Sequence, residues 1–461
     1  MRNTSPPQLR HPTEPVRLLV SDIEGRVYDH PDLLLAGVRG AGPEAIATGE
    51  LIPLPRGSDL FTLPGRAPVG LDPATGAPVA VSRWEVGEAR AVAGFLAPAH
   101  TAGHHAAWRK RPGAPALPLY AYTAVGWADD QYWTSAFRSD DDRRQDPWRF
   151  SQQRIEAGVA KMKIELPRNR VARQLERCAL EYGCRAAQNF FLGRHEGPLP
   201  VSIACNAQCV GCISLQPDGA FRASHDRLNI APTPREVADA ALAHFARVPR
   251  GVVSFGQGCE GEPTLFGPIL VEATRRIRAA GARGTINLNT NASRPDVVRA
   301  LCDAGLDAMR ASLNSPRPTI CAAYYNPRGY SFADVEESIS VVVRAGGHAS
   351  INLLCFPGVT DTDAELEALG GLIERTGLHR IQLRNLNLDP ELYRKVLPRG
   401  TIRPGRGMRW LRDALAQRLP QLRFAYFNPA VRKRASFART EAKSSKPSEV
   451  HRADGLANRV S

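Results

Sequence analysis

The chain has 461 residues, 43% hydrophobic and 23% charged, a globular composition that excludes a disordered or fibrous protein and exceeds one ordinary domain. Its 60 Lys+Arg against 46 Asp+Glu give a net charge of +14, an excess that would suit nucleic acid or acidic lipid as a partner. No apolar run approaches the roughly 18 residues of a membrane span and MRNTSPPQLRHPTEP lacks the apolar core of a secretory signal, so a cytoplasmic protein without membrane contact is expected.

Taken in chain order, residues 1–15 are polar and Pro-rich, and read as disordered. Residues 16–150 hold short apolar alternations punctuated by Gly and Pro, among them VRLLVSD, APVAVSRWEV and LPLYAYTAVGWA, which predict a small β-rich domain. Residues 151–197 predict a helical connector, with VARQLERCALEY carrying apolar positions at helical spacing. From 198 to 428 strand-like runs alternate with amphipathic segments. The runs are LPVSI (199–203), GVVSFG (251–256), TINLNT (285–290), DAMRASLN (307–314), ASINLLCFP (349–357) and RIQLRNLN (380–387). Six β–α units in succession predict an α/β fold, a partial (β/α)6 TIM-like barrel of parallel strands, with its chemistry at the C-terminal strand ends. Residues 429–461 read as a basic disordered tail, which accounts for part of the positive charge.

Nine cysteines are too few and too scattered for a disulfide framework, yet three crowd into CNAQCVGC directly after the first strand-like run. Cys205, Cys209 and Cys212 can bind three corners of a cubane four-iron four-sulfur (4Fe-4S) cluster and leave one iron open. Zinc is the competing reading, but a structural zinc site takes four protein ligands, and the one nearby candidate, His225, lies in a polar loop.

The C-x3-C-x2-C loop in this setting resembles the radical S-adenosylmethionine superfamily. Gly261, Glu262 and Pro263, after the second strand, resemble that family's GGEP motif, whose carboxylate and backbone bind the methionine amino group. Asn289, Thr290 and Asn291, with Ala292 in place of Gly, are similar to its TNG-like stretch. Ser312 and Asn314 stand where polar residues contact the ribose or carboxylate. Pro357 to Asp361 (PGVTD, with Gly358) is similar to a turn whose backbone meets the adenine. The resemblance covers about residues 200–390. It implies a 4Fe-4S cluster and S-adenosylmethionine as cofactors and an electron donor of flavodoxin or ferredoxin type. The implied chemistry is reductive cleavage of S-adenosylmethionine to a deoxyadenosyl radical acting on an unidentified substrate. One departure stands out: Gly211 precedes the third cysteine where the family usually has an aromatic residue covering the adenine.

Weaker signals remain. Cys259 and Cys355 either face the barrel mouth or are buried as small hydrophobes, and Cys178 and Cys184 either join an auxiliary cluster or lie apart on a helix. Cys302 and Cys321 read as structural. Arg384, Asn385, Asn387 and Asp389 either reach a substrate or cap loops, and Tyr324, Tyr325 and Arg328 either form a lid or an ordinary loop. His100, His104 and His105 are expected in a solvated loop rather than at a metal. Trp127, Tyr132, Trp133 and Trp148 are expected to supply aromatic core in place of base-stacking surfaces. The alternative function is non-catalytic: an iron–sulfur or zinc protein that binds a partner, including nucleic acid, through its basic surface.

Overall fold

A computed structural model describes residues 11–85, 87–216 and 221–431. The expected disordered residues 1–10 and basic tail 432–461 lie outside these. Thr13, within the stretch expected to be disordered, is held by bonds from its N and Oγ1 to Asp129 at 2.8 and 2.6 Å.

Residues 17–138 form a 13-stranded sheet in which every pairing is antiparallel. Gly, Pro and Asx turns divide it into short strands. Asp72 Oδ1, for example, accepts from Ala74 N, Thr75 N and Thr75 Oγ1 and closes the turn between Arg66–Leu71 and Pro78–Ala80. Trp133 is core, its Nε1 donating to Ala128 O at 3.0 Å, and Trp127 packs edge-on against Tyr132. The histidine expectation needs correcting. His100, His104 and His105 are all buried, because they lie in or beside strands of the sheet face that meets the second half of the chain. They also diverge: His100 Nδ1 meets Ala97 O, His104 bridges Ser135 Oγ and Glu44, and the His105 ring packs on Phe356.

The connector is helical, α1 (Gln152–Glu165), α2 (Arg170–Leu180) and α3 (Arg185–Phe191), with Ser151 and Asn169 capping the first two through Arg154 N and Ala172 N. A second, wholly parallel sheet follows in chain order. Its strands are β1 (Glu196–Pro198), β2 (Val252–Phe255), β3 (Thr285–Thr290), β4 (Ala308–Leu313), β5 (His348–Cys355), β6 (Arg380–Asn385) and β7 (Arg423–Ala425). The crossover helices are α4 (Pro234–Arg247), α5 (Gly267–Ala279), α6 (Pro295–Ala304), α7 (Pro318–Tyr325), α8 (Phe332–Arg344), α9 (Asp363–Thr376), α10 (Pro390–Val396) and α11 (Met408–Arg418). Among the described residues no helix is long and apolar enough to cross a membrane.

Two strand assignments differ from the sequence reading. The first strand is 196–198; Leu199 N still reaches Ser254 O, and the chain then leaves the ladder, buried to Ser202 and exposed at Ile203. Glu260 Oε2 takes the N–H groups of both Val201 and Ser202, at 2.8 Å each, which removes them from strand pairing. A seventh strand, three residues long, adds to the six expected.

Strand alternation sorts the second sheet. Val253, Phe255, Ile286, Leu288, Met309, Ala311, Leu313, Ile351, Leu353, Ile381 and Leu383 are buried in one continuous core. Most of the intervening positions are polar, among them Ser254, Asn287, Asn289, Arg310, Ser312, Asn352, Gln382 and Arg384. Asn428, beyond β7, shows that this polar face is concave. Its Nδ2 donates to Glu196 of β1 and Asn289 of β3, and its Oδ1 accepts from Gln382 of β6.

The two sheets are fastened together. Arg66, fully buried, meets Asp389 at 3.1 Å, and Asp389 also accepts from Leu117 N. Trp108 Nε1 donates to Glu391, and Asn385 pairs with both Ala102 N and His100 O. Asn385 and Asp389 therefore hold the N-terminal sheet in place, as loop-capping residues do.

Candidate functional site

The cysteine loop, 205–212, crosses the C-terminal ends of β1 and β2. Gly261 N donates to Ser202 O and Glu262 N to Ala204 O. A Cβ on Gly261 would lie 1.9 Å from Ala204 O, so only glycine permits this approach of the two loops. On its other side the loop leans on α7. Gln208 N donates to Tyr325 O, Val210 N to Tyr324 O, and Arg328 N to Asn206 O. Tyr324 and Tyr325 thus belong to a buried helix end that clamps the thiols, and they form no lid.

Tyr324 also accounts for Gly211. A Cβ at 211 would meet the Tyr324 hydroxyl at 2.9 Å and Asn387 O at 3.4 Å. The space that a side chain at 211 would need is taken by the Tyr324 hydroxyl, delivered from α7. Burial, and then the nearby Cys209, push the Tyr324 hydroxyl well above its ordinary pKa.

All nine cysteines are outside disulfides. Burial raises the Cys205 thiol, as does Glu262, while Arg227 acts the other way. Burial raises Cys209 further, followed by Cys212 and Cys205, so the three thiols act on one another electrostatically. Arg227 Nη2 lies 3.7 Å from Cys212 Sγ, a cation placed to offset thiolate charge. Among the described residues no three His, Cys, Asp or Glu side chains converge as on a single metal ion. This donor set fits a cluster better than zinc: a cubane's irons are separate corners, so its thiolates need not meet at a point, and three ligands leave one corner open. His225, the candidate fourth zinc ligand, instead packs edge-on against Tyr182.

Glu262 is 3% exposed. Its Oε1 accepts from Thr264 N, Thr264 Oγ1 and Thr290 Oγ1, and its Oε2 accepts from Asn291 N at 2.7 Å. Burial raises its pKa and these bonds oppose the rise. Oε2, with a single donor, keeps acceptor capacity. Asn291 Nδ2 reaches Asn206 in the cysteine loop, which joins the GEP and TNA segments to the thiols. Ala292 follows with φ +60°, the left-handed conformation that glycine ordinarily takes.

The remaining residues predicted for the site separate. Ser312 lines a cavity of about 420 Å³ beside Gly211. Asn289 faces the same interior but is engaged by Phe255 O, Asn287 and Asn428. Asn314 is buried behind the strand against Tyr393 and Ile320 O. A Cβ on Gly358 would meet Gly40 N at 2.3 Å, so that turn abuts the N-terminal sheet. Neither Asn314 nor Gly358 lines the cavity. Cys355 and Cys259 are buried. Cys259 contacts Cys178 thiol to thiol, with Cys184 beside them, a grouping hidden by more than 70 residues of separation. Sequence reasoning also missed Arg310. Its signal was available, as an arginine two positions before Ser312 on the inward face of a strand whose other face is apolar.

Residues 199–369 match the model described as the Radical SAM superfamily. Similar solved structures include a radical SAM methyltransferase from Sphaerobacter thermophilus (18% identity, 49% of this chain and 63% of that one, TM-score 0.34). Another is SuiB of Streptococcus suis bound to precursor peptide SuiA (14%, 47% and 43%, TM-score 0.32). A third is the FeFe-hydrogenase maturase HydG from Carboxydothermus hydrogenoformans (16%, 57% and 72%, TM-score 0.33). The chain spans less than two thirds of the first two. No curated protein matches it.

Proposed function

Starting from residues 199–369 as a Radical SAM superfamily domain, we propose that this protein is an enzyme that reductively cleaves S-adenosylmethionine and directs the radical at a substrate in the barrel. Cys205, Cys209 and Cys212 would hold a four-iron cluster. A cluster bound there would supply the electron that splits S-adenosylmethionine into methionine and a deoxyadenosyl radical able to remove hydrogen from the substrate. A small flavodoxin- or ferredoxin-type protein is the electron donor this reading requires.

The observation that carries it is the joint placement of the thiol loop and Glu262. Ala204 and Gly261 are in backbone contact, Asn206 is tied to Asn291, and Asn291 to Glu262. A loop that only bound a structural metal would have no need of a buried carboxylate with acceptor capacity fixed beside it. In this arrangement Glu262 Oε2 accepts from the cofactor's amino group and Ser312 orients its polar end. Tyr324 covers the face left open at Gly211. The N-terminal strands close the partial barrel over the cavity and keep bulk water from the radical.

The test is anaerobic reconstitution with iron and sulfide, then reduction with S-adenosylmethionine present. Deoxyadenosine should form, and Glu262→Gln should weaken S-adenosylmethionine binding at least tenfold with the iron content kept. A fully loaded cluster that yields no deoxyadenosine overturns the reading.

A further inference from the structure

The cavity beneath the cysteine loop carries a charge pattern that the cofactor reading does not use. Its ionisable lining is Arg310, Arg384, Glu196 and His100, with the phenols Tyr324 and Tyr426. Burial keeps the His100 ring below its usual pKa and hence neutral near pH 7. Glu196, the single carboxylate, is engaged by Ser254 Oγ, Gln257 Nε2 and Asn428 Nδ2 at 2.5, 3.2 and 2.8 Å. The cavity wall is therefore net positive.

Neither arginine has a carboxylate within ion-pair reach among the described residues. Arg310 lines the cavity and donates Nη1 to Gln382 Oε1 at 3.0 Å, the one hydrogen bond its guanidinium makes among the described residues, so most of its five N–H donors are unengaged. Burial, and the neighbouring Arg384, push its guanidinium down to about 10, while Glu196 and Tyr426, too far for an ion pair, act the other way. It remains a cation at neutral pH, held where a cation is costly unless something pairs with it. Arg384 donates to Tyr426 O, and its guanidinium carbon lies over the Tyr426 ring, 3.5 Å from the centroid. That cation–ring contact and the bond to Tyr426 O hold the guanidinium at the cavity wall, where its other N–H donors suit a carboxylate or phosphate. Asn352 Oδ1, buried without a partner, adds an acceptor for a hydroxyl or amine of the same ligand.

Position separates this pair from the proposed cofactor contacts. Glu262 and the thiols stand over β1 to β3, whereas Arg384 rises from β6. Arg310 sits one inward position below Ser312, roughly 7 Å deeper along β4 at 3.3 Å per residue. The N-terminal residues Phe95 and His100 line the same cavity from above. A volume of about 420 Å³ limits the guest to a small molecule and excludes a folded macromolecule or nucleic-acid duplex.

We propose that Arg310 and Arg384 form the recognition site for a small anionic substrate, gripping its carboxylate or phosphate while the rest of the molecule points up toward the cysteine loop. This rests on the radical reading for the word substrate, and on geometry alone for the anion. Malonate, inorganic phosphate and neutral malonamide are titrated calorimetrically into the reconstituted protein, with and without S-adenosylmethionine. Malonate or phosphate should bind one to one and malonamide should not, and whichever anion binds tighter indicates the substrate's acidic group. Arg384→Gln and, separately, Arg310→Gln should weaken that anion at least tenfold, with Arg384→Lys in between. S-adenosylmethionine affinity should stay within twofold, and that unchanged affinity serves as the control for folding. Absence of binding by both anions, equal binding of malonamide, or an unaffected Arg384→Gln would overturn the assignment. Competition between malonate and S-adenosylmethionine would overturn it as well, by giving the arginines to the methionine carboxylate. Anion binding in a protein that makes no deoxyadenosine would uphold this site and overturn the radical reading.

Discussion

Arg66→Met tests how much the buried ion pair contributes to holding the two sheets together. Arg66 and Asp389 are 0% and 1% exposed and 323 positions apart in sequence. Removing one partner of such a pair typically costs about 3–5 kcal/mol, because a buried charge is left behind. Asp389 would keep two backbone donors, Leu117 N and Glu391 N, which places the carboxylate's loss at the lower end. The bond from Arg66 Nη1 to Pro115 O, at 2.7 Å, adds about 1 kcal/mol. The expected cost is about 3–4 kcal/mol. Urea unfolding followed by tryptophan fluorescence and circular dichroism measures it. Trp108, bonded to Glu391 across the same interface, should report its loss before the helices melt. Arg66→Met combined with Asp389→Asn should cost less than the sum of the two single changes, by about 1 kcal/mol or more. A single-variant cost below about 1 kcal/mol, or strict additivity in the double variant, would refute the assignment.

Gly211→Phe should abolish iron incorporation, because its Cβ meets the Tyr324 hydroxyl at 2.9 Å; Gly211→Phe with Tyr324→Ala should recover most of it, measured as iron per chain after reconstitution. Glu365 is held at a pKa of about 7 by burial, above the ordinary 4.5, despite Arg317 and Ser315. The folded state thus favours its protonated form, so the protein should lose stability as pH rises from about 4.5 to 7 and level off above that, by about 3 kcal/mol in total. Glu365→Gln, permanently neutral, should flatten that slope in urea midpoints read at pH 5, 6, 7 and 8; an unchanged slope would assign it to other groups.

What the sequence made legible was contiguous or periodic. CNAQCVGC and GEP needed only short spacings, and the parallel sheet showed through because apolar residues (Ile286 and Leu288; Met309, Ala311 and Leu313; Ile351 and Leu353; Ile381 and Leu383) recur at every second position of β3 to β6. What it concealed depended on distant partners. The run 199–203 looks like a strand, and leaves the ladder where Pro200 has no N–H to give and Glu260 captures those of Val201 and Ser202. His100 and His105 look polar and solvated until the N-terminal sheet folds against Asn385 and Phe356, and His104 until that sheet closes on it with Glu44 and Ser135. Gly211 looked like a gap in a pattern because Tyr324, whose hydroxyl takes its space, arrives from a helix more than 100 residues later. Asn314 and Gly358 stood at plausible strand ends, but backbone direction turns one toward Tyr393 and the other toward Gly40.

The clamp that α7 places on the thiol loop has a consequence for biosynthesis. Roughly 110 residues separate Cys212 from Tyr324, and at about 5–20 residues per second a ribosome takes on the order of 6–20 s to cross that interval. Throughout it the nascent chain carries three thiols without the helix that later shelters them, exposed to oxidation. Slowing translation across 213–324 should therefore lower the fraction of chains that can still accept iron after purification, and oxygen exclusion during synthesis should restore it.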